Sequence, residues 1–88
     1  MNKIEIGNKT FYHPGYFLQD IMRRQDWDVR YLSSCLFMSQ DELRKFLNGE
    51  IDFDEITYTY LENYTAISRY IWLDFQQTFN LATLMMEV

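Results

Sequence analysis

Apolar side chains recur at three- and four-residue spacing over most of the chain, and this spacing predicts α-helices. Five segments carry it: Pro14 to Gln25, Val29 to about Leu36, the stretch Ser39 to Gly49, Glu55 to about Tyr64, and Arg69 to about Met85. The first residues differ, because Lys3 to Tyr12 alternates apolar and polar positions around Gly7-Asn8. That alternation predicts a short β-hairpin or an extended arm. The expected fold is all-α, with an N-terminal hairpin or arm at residues 1–12 and one five-helix domain at residues 13–88.

The third segment, SQDELRKFLNG, contains signals for both ends of a helix. Ser39 and Glu42 have the S-x-x-E spacing of a capping box, which fixes the start. Gly49 can take the left-handed conformation that ends a helix. Between these ends the apolar side chains are spaced to form one buried stripe, made of Leu43, Phe46 and Leu47.

The second and third helices are joined by a very short connection. Asp28 is a suitable N-cap for helix 2, and only Phe37-Met38 separates the end of that helix from Ser39. Two helices joined this tightly cannot lie antiparallel side by side, so they must cross steeply. The pattern therefore predicts a helix-turn-helix unit.

The other helices also carry end signals and apolar stripes. His13 is interpreted as a capping or turn residue before Pro14, and Asp54 and Ser68 are expected to cap helices 4 and 5. The expected inward positions are Phe17, Leu18, Ile21 and Met22 in helix 1; Ile56, Tyr60, Leu61 and Tyr64 in helix 4; and Ile71, Trp72, Phe75, Phe79 and Ala82 in helix 5. In the loop before helix 4, Ile51 and Phe53 are expected to lie under the core.

Helix 5 is apolar over much of its circumference, which is typical of a helix buried on two sides. In a chain of 88 residues the second side is expected to be another subunit. The residues assigned to this homodimer interface are Trp72, Phe75, Phe79, Leu81 and Leu84.

Composition limits the chemistry that the chain can perform. With one cysteine, Cys35, and one histidine, His13, the sequence offers no internal disulfide, no cysteine-based zinc site and no nucleophile-histidine pair. It also lacks a G-x-x-x-x-G-K-[ST] phosphate loop and an H-E-x-x-H motif. We therefore expect a protein that is not an enzyme and needs no metal or other cofactor. The sequence has no apolar leader and no membrane span, so a cytoplasmic location is expected.

The net charge of −5 has the wrong sign for a nucleic-acid-binding protein, but it is unevenly distributed. Residues 1–49 carry seven basic and six acidic side chains, a net charge of +1. Residues 50–88 carry one basic and seven acidic side chains, a net charge of −6. A weakly basic face is therefore possible on the first half only.

Several short motifs together resemble those of the HigA-type antitoxins, a branch of the Cro/repressor helix-turn-helix superfamily. They are His13-Pro14-Gly15 followed by Leu18; Trp27 after helix 1; Ser39 with Leu47-Asn48-Gly49; and Trp72-Leu73-Asp74-Phe75-Gln76 followed by Phe79-Asn80-Leu81. The likeness extends from His13 to about Leu81. It implies a lambda-repressor-like five-helix DNA-binding domain that dimerises on a palindromic operator. It also implies autorepression together with neutralisation of a small ribonuclease toxin.

The same resemblance assigns candidate DNA contacts. Base contacts would come from Ser39, Gln40, Asp41 and Arg44 on helix 3. Lys45 and Asn48 would lie nearer the phosphates, and Arg23, Arg24 and Arg30 would contact phosphates from helices 1 and 2. Gln40 is suited to adenine and Arg44 to guanine.

The chain departs from the family pattern in ways that favour weak DNA binding. Phe37 stands where the family usually has glycine, and Val29 replaces a glutamine that would contact a phosphate. Asp41, Glu42 and Glu50 add carboxylates near the expected DNA surface. Two function classes therefore stay open: a DNA-binding repressor or antitoxin, and an acidic protein of the same fold that lost its operator and binds a protein partner, either a toxin or a target that normally binds DNA.

Overall fold

The computed structural model describes residues 2–86. Met1 of the predicted arm, and Glu87 and Val88 of the predicted helical domain, lie outside the described residues. Two antiparallel strands precede five helices. They are β1 (Lys3–Ile6), β2 (Lys9–Tyr12), α1 (Pro14–Gln25), α2 (Val29–Cys35), α3 (Gln40–Leu47), α4 (Glu55–Thr65) and α5 (Arg69–Met86). The predicted five-helix class is confirmed, and the N-terminal segment is a hairpin.

The hairpin packs on the helices. Its register pairs Lys3 with Tyr12 and Ile6 with Lys9 across a turn in which Gly7 has a φ of 60°. Both strands contact α5, and β2 also contacts α1. Since a two-stranded hairpin alone is marginally stable, these contacts explain how so short a sheet persists.

The predicted caps form. His13 caps α1 by accepting a hydrogen bond from the Gly15 N–H at 2.9 Å. Asp28 and Asp54 accept the backbone N–H of Tyr31 and Thr57 at 2.7 and 2.8 Å. The hydrogen bond from Thr57 also lowers the pKa of Asp54. At α5, the Ser68 hydroxyl accepts the Tyr70 N–H at 3.2 Å.

The core is built from rings and leucines supplied by every helix. Leu18, Leu32, Leu43, Phe46, Tyr58, Leu61 and Trp72 have no exposed surface. Phe53 stacks on Phe46 with ring centroids 3.5 Å apart, so the loop before α4 contributes to the core as predicted. Ile51 is partly buried against the same cluster.

Two predicted stripes need correction. On α4, Ile56 is 64% exposed and Tyr64 is 42% exposed, whereas Tyr58, which was not predicted, is fully buried. Tyr58 lies between Phe53 and Trp72, and its hydroxyl donates to Gln76 of α5. Because Tyr58 packs against these partners, α4 is rotated about its own axis relative to the predicted orientation. On α5, Ile71 is likewise exposed.

The predicted dimer residues divide into two groups. Trp72 is fully buried within one chain, so it offers no surface to a second subunit, and its assignment to an interface was wrong. Phe79 is 6% exposed, so only a small part of its ring could contact a second subunit. Phe75 is half-buried against Phe17. Leu81 and Leu84 are 63% and 59% exposed, so an interface through them stays a prediction.

Candidate nucleic-acid interface

Helix α3 has a buried side and an exposed side, and the exposed side is the candidate interface. Leu43, Phe46 and Leu47 anchor the helix in the core. The capping box forms as predicted: the Glu42 N–H donates to Ser39 Oγ at 3.1 Å, and the Ser39 N–H donates to Glu42 Oε1 at 3.4 Å. This cap fixes where the helix starts and which residues face outward.

A close contact between α1 and α3 holds α3 in position. Gly15, in the first turn of α1, faces Phe46 and Leu47 so closely that an added Cβ would collide with the Phe46 carbonyl oxygen and lie 2.9 Å from Leu47 Cα. The Asn2 side chain donates to the Leu47 carbonyl at 3.1 Å. The buried side of α3 is therefore held by close packing against α1, and this fixes the position of its exposed side.

A polar network beside this contact ties three parts of the fold together. His13 is 1% exposed, and its Nδ1 accepts the Gly15 N–H, so its Nε2 carries the proton and donates to Asp52 Oδ1 at 3.1 Å. The second oxygen of Asp52 accepts from Asn80 of α5 at 3.1 Å. Burial lowers the pKa of His13, although Asp52 acts in the opposite direction. The His13 ring also lies edge-on to Phe46 with centroids 5.0 Å apart, so this network contacts the buried side of α3.

All nine predicted DNA-contacting side chains are exposed; they are Ser39, Gln40, Asp41, Arg44, Lys45, Asn48, Arg23, Arg24 and Arg30. Gln40 and Arg44 face outward one turn apart, and Arg44 Nη2 donates to Gln40 Oε1 at 3.1 Å. This hydrogen bond turns the Gln40 oxygen toward Arg44 and leaves the Gln40 NH₂ group without a partner among the described residues. The Ser39 hydroxyl is occupied in the cap, where it also donates to Glu42 at 3.2 Å.

Most of the cations at this surface are paired with carboxylates. Lys45 lies 3.3 Å from Asp41, and both Arg23 and Arg24 contact Asp20, at 2.5 and 2.7 Å. The Asn48 amide approaches Glu50 at 3.5 Å. Within residues 2–86, Arg30 and Arg44 are the helix-turn-helix cations without an ion pair. The pairs at i,i+3 and i,i+4 spacing could have been identified from sequence.

The turn between α2 and α3 accommodates Phe37 in the left-handed conformation, with a φ of 57°. The Phe37 N–H donates to the Ser34 carbonyl at 3.3 Å, and the Met38 N–H donates to the Ser33 carbonyl at 3.0 Å. This is the hydrogen-bond pattern of a Schellman motif. The Phe37 ring is 79% exposed and lies edge-on to Tyr60. The chain thus keeps the turn geometry of a glycine while carrying a bulky residue there.

Two features are absent from the described residues. No grouping of three or more His, Cys, Asp or Glu side chains that could hold a metal ion occurs between Asn2 and Met86. Among the helices in that same range, none combines the length and the apolar character needed to cross a membrane.

No family model and no curated protein sequence matches the chain. Solved structures do match it. Antitoxin HigA of Pseudomonas aeruginosa, solved with the higBA promoter, is 22% identical with a TM-score of 0.78, over 85% of this chain and 83% of that one. PA4674 of the same organism, in complex with its 18-bp operator DNA, is 22% identical with a TM-score of 0.80, over 89% and 85%. An addiction module antidote protein of a HigA family from Coxiella burnetii is 18% identical with a TM-score of 0.77, over 99% and 87%. This chain therefore has the fold of these proteins, two of which are HigA antitoxins or antidote proteins of a HigA family, as the sequence resemblance predicted.

Proposed function

We propose that the chain is a cytoplasmic transcriptional repressor of the antitoxin type. It forms a homodimer and contacts operator DNA through α3. The observation that carries this proposal is the outward-facing pair of Gln40 and Arg44 on a helix whose other side is firmly buried. Two similar proteins of the same fold were solved with a promoter or an operator, which supports DNA as the ligand.

The geometry suits direct reading of base edges. In helix-turn-helix proteins the first residues of the second helix contact bases in the major groove. Gln40 is the first residue of α3, and Arg44 follows one turn later. A glutamine amide can bind adenine with two hydrogen bonds, and an arginine can bind guanine in the same way. Because Gln40 Oε1 has a second lone pair, its bond to Arg44 leaves the adenine contact available.

We further propose that the affinity for DNA is low. Phosphate contacts by Lys45, Arg23 and Arg24 would compete with the neighbouring carboxylates of Asp41 and Asp20. Arg30 and Arg44 have no such competitor among the described residues. Since each phosphate neutralised adds to the salt dependence of binding, a shallow salt slope is expected.

The homodimer is proposed to form through the exposed end of α5. Leu81 and Leu84 lie there with Met85, which is 65% exposed. A twofold dimer would read two half-sites about one helical turn of DNA apart, roughly 34 Å. Sedimentation of Leu84→Glu beside the unchanged protein tests this surface, and an unchanged dimer would exclude it.

The main test is selection of a binding sequence from a randomised duplex pool, followed by affinity measurements over a range of salt concentrations. Arg44→Ala is expected to cost about 1–3 kcal/mol on the selected sequence and to relax discrimination at one base pair. Lys45→Ala is expected to weaken binding to all sequences alike. Lys9→Ala removes an exposed cation from the hairpin and serves as the charge-matched control.

A second function is favoured by one observation, the pairing of cations with carboxylates around α3. This pairing leaves few cations free to bind phosphates, and residues 50–88 carry a net charge of −6. Both features favour an acidic protein that has lost its operator and binds a basic protein instead. Absence of binding to any duplex at low salt, with tight binding to a purified toxin partner, would support this second function and overturn the first.

A further inference from the structure

A groove lined by aromatic rings lies between β2, α1 and α5, and it shares no residue with the exposed side of α3. Its volume is about 300 Å³, and it is lined by Thr10, Phe11, Tyr12, Phe17, Asp74, Phe75, Thr78 and Phe79. This volume is at the lower end of the range for ligand sites, so the groove suits a single side chain better than a large organic molecule.

The rings line the groove as a continuous surface. Phe17 lies against Phe75 with ring centroids 4.7 Å apart, and Tyr12 meets Phe17 edge-on at 5.8 Å. All three rings are half-buried, so part of each is accessible from the groove. The faces of aromatic rings are negative and attract cations placed over them.

A carboxylate stands at the same groove. Asp74 is exposed and lies next to Phe75 on α5, with Thr78 one turn further along. No lysine, arginine or histidine lines the groove, and Asp74 makes no ion pair within residues 2–86. This differs from Asp20 and Asp41 near α3, each of which is paired with a neighbouring cation. A carboxylate and aromatic rings that line the same groove form a complementary site for a positively charged group.

We propose that this groove binds an arginine side chain of a basic protein partner, with the guanidinium held by Asp74 and packed against the accessible parts of Phe75 and Phe17. Arginine fits better than lysine because its planar group can stack on a ring and present two N–H groups to one carboxylate. The negative charge of residues 50–88 attracts such a partner toward α5. The site is independent of DNA binding by α3, so either property can fail without the other.

The proposal is tested with a capped tetra-arginine peptide and the full chain, observed through the NMR signals of its aromatic rings. A tetra-citrulline peptide of the same shape but without charge is the control ligand. The arginine peptide is expected to shift the signals of Phe17 and Phe75, and the citrulline peptide is not. Equal shifts with both peptides, or no shift at these rings, would overturn the proposal.

Two variants with the same change in net charge separate the groove from general attraction to an acidic protein. Asp74→Asn is expected to weaken binding of the arginine peptide by about three- to tenfold. Asp26→Asn removes an exposed carboxylate at the far end of α1, which lies outside the groove and has no ion pair among the described residues. It is expected to weaken binding of the arginine peptide less than twofold. Equal weakening by both variants would contradict the proposal. Shifts of the ring signals with protein concentration alone would assign the groove to contact between copies of the chain and would also overturn it.

Discussion

The two sides of α3 differ in what holds their side chains in place. On the buried side, Leu43, Phe46 and Leu47 lie in the core, and α3 packs against α1 and α2 while Phe46 also contacts Phe53 and Tyr58. On the exposed side, Gln40, Asp41, Arg44 and Lys45 are held only by one another, through contacts at i,i+4 spacing. Exposed pairs of this kind contribute little to stability, so they can exchange for contacts with another molecule. The position of α3 and its binding properties therefore have separate physical causes.

Removing a ring from the buried side of α3 is expected to have the largest effect on stability. Phe46→Ala is expected to lower the free energy of unfolding by about 4 kcal/mol, because Phe46 has no exposed surface and stacks on Phe53. Lys45 is the preceding residue and lies on the exposed side. Lys45→Ala is expected to change the free energy of unfolding by less than about 0.5 kcal/mol. Urea unfolding of both variants measures the contrast, and similar losses would show that the two sides are not separate.

A smaller change tests the support behind α3. Gly15→Ala adds one methyl group where the Phe46 carbonyl and Leu47 leave no room, and we expect a loss of about 3 kcal/mol. Alanine normally stabilises a helix relative to glycine, so the sign of the effect is diagnostic. A thermal shift toward higher stability would contradict the close approach of α1 to α3.

The sequence could predict the buried side because its signals are local. The capping box, the apolar stripe and Gly49 all lie within Ser39–Gly49. On α4, the local pattern was insufficient: tyrosines alternate at 58 and 60, and the choice of Tyr58 for the core depends on Phe53 and Trp72. The network of His13, Asp52 and Asn80 joins residues far apart in the chain, and no local spacing indicates it.

This network also makes the support of α3 sensitive to pH. Burial lowers the pKa of His13 below that of the unfolded chain, about 6.5. The native state then binds fewer protons than the unfolded state, so its stability is complete above pH 6.5 and falls as the pH is lowered toward the native pKa. Urea unfolding at a series of pH values measures this decrease. His13→Asn keeps a cap residue but removes the titrating ring, and it should flatten the pH profile between about 7.5 and 5.5.

The two turns that border α3 allow a finer comparison. Gly49 and Phe37 both have positive φ, but only glycine does so without strain. Phe37→Gly and Phe37→Ala both remove the exposed ring, and they differ only in the Cβ. We expect the glycine variant to be more stable than the alanine variant by about 1 kcal/mol, measured by urea unfolding. Equal stabilities would show that the turn relaxes when the ring is removed.

The smallest effect on stability is expected on the exposed side, where the effect on binding should be clear. Asp41→Asn removes the carboxylate 3.3 Å from Lys45, and the free energy of unfolding should change by less than about 0.5 kcal/mol. Lys45 is then available to a phosphate, so affinity for any duplex should rise and the salt slope should increase by about one. Glu5→Gln makes the same change in net charge in β1, which is far from α3 in the sequence. This variant should leave the salt slope of DNA binding unchanged. If both variants raised affinity equally, the total charge of the molecule would govern binding, and the pairing on α3 would have no role in it.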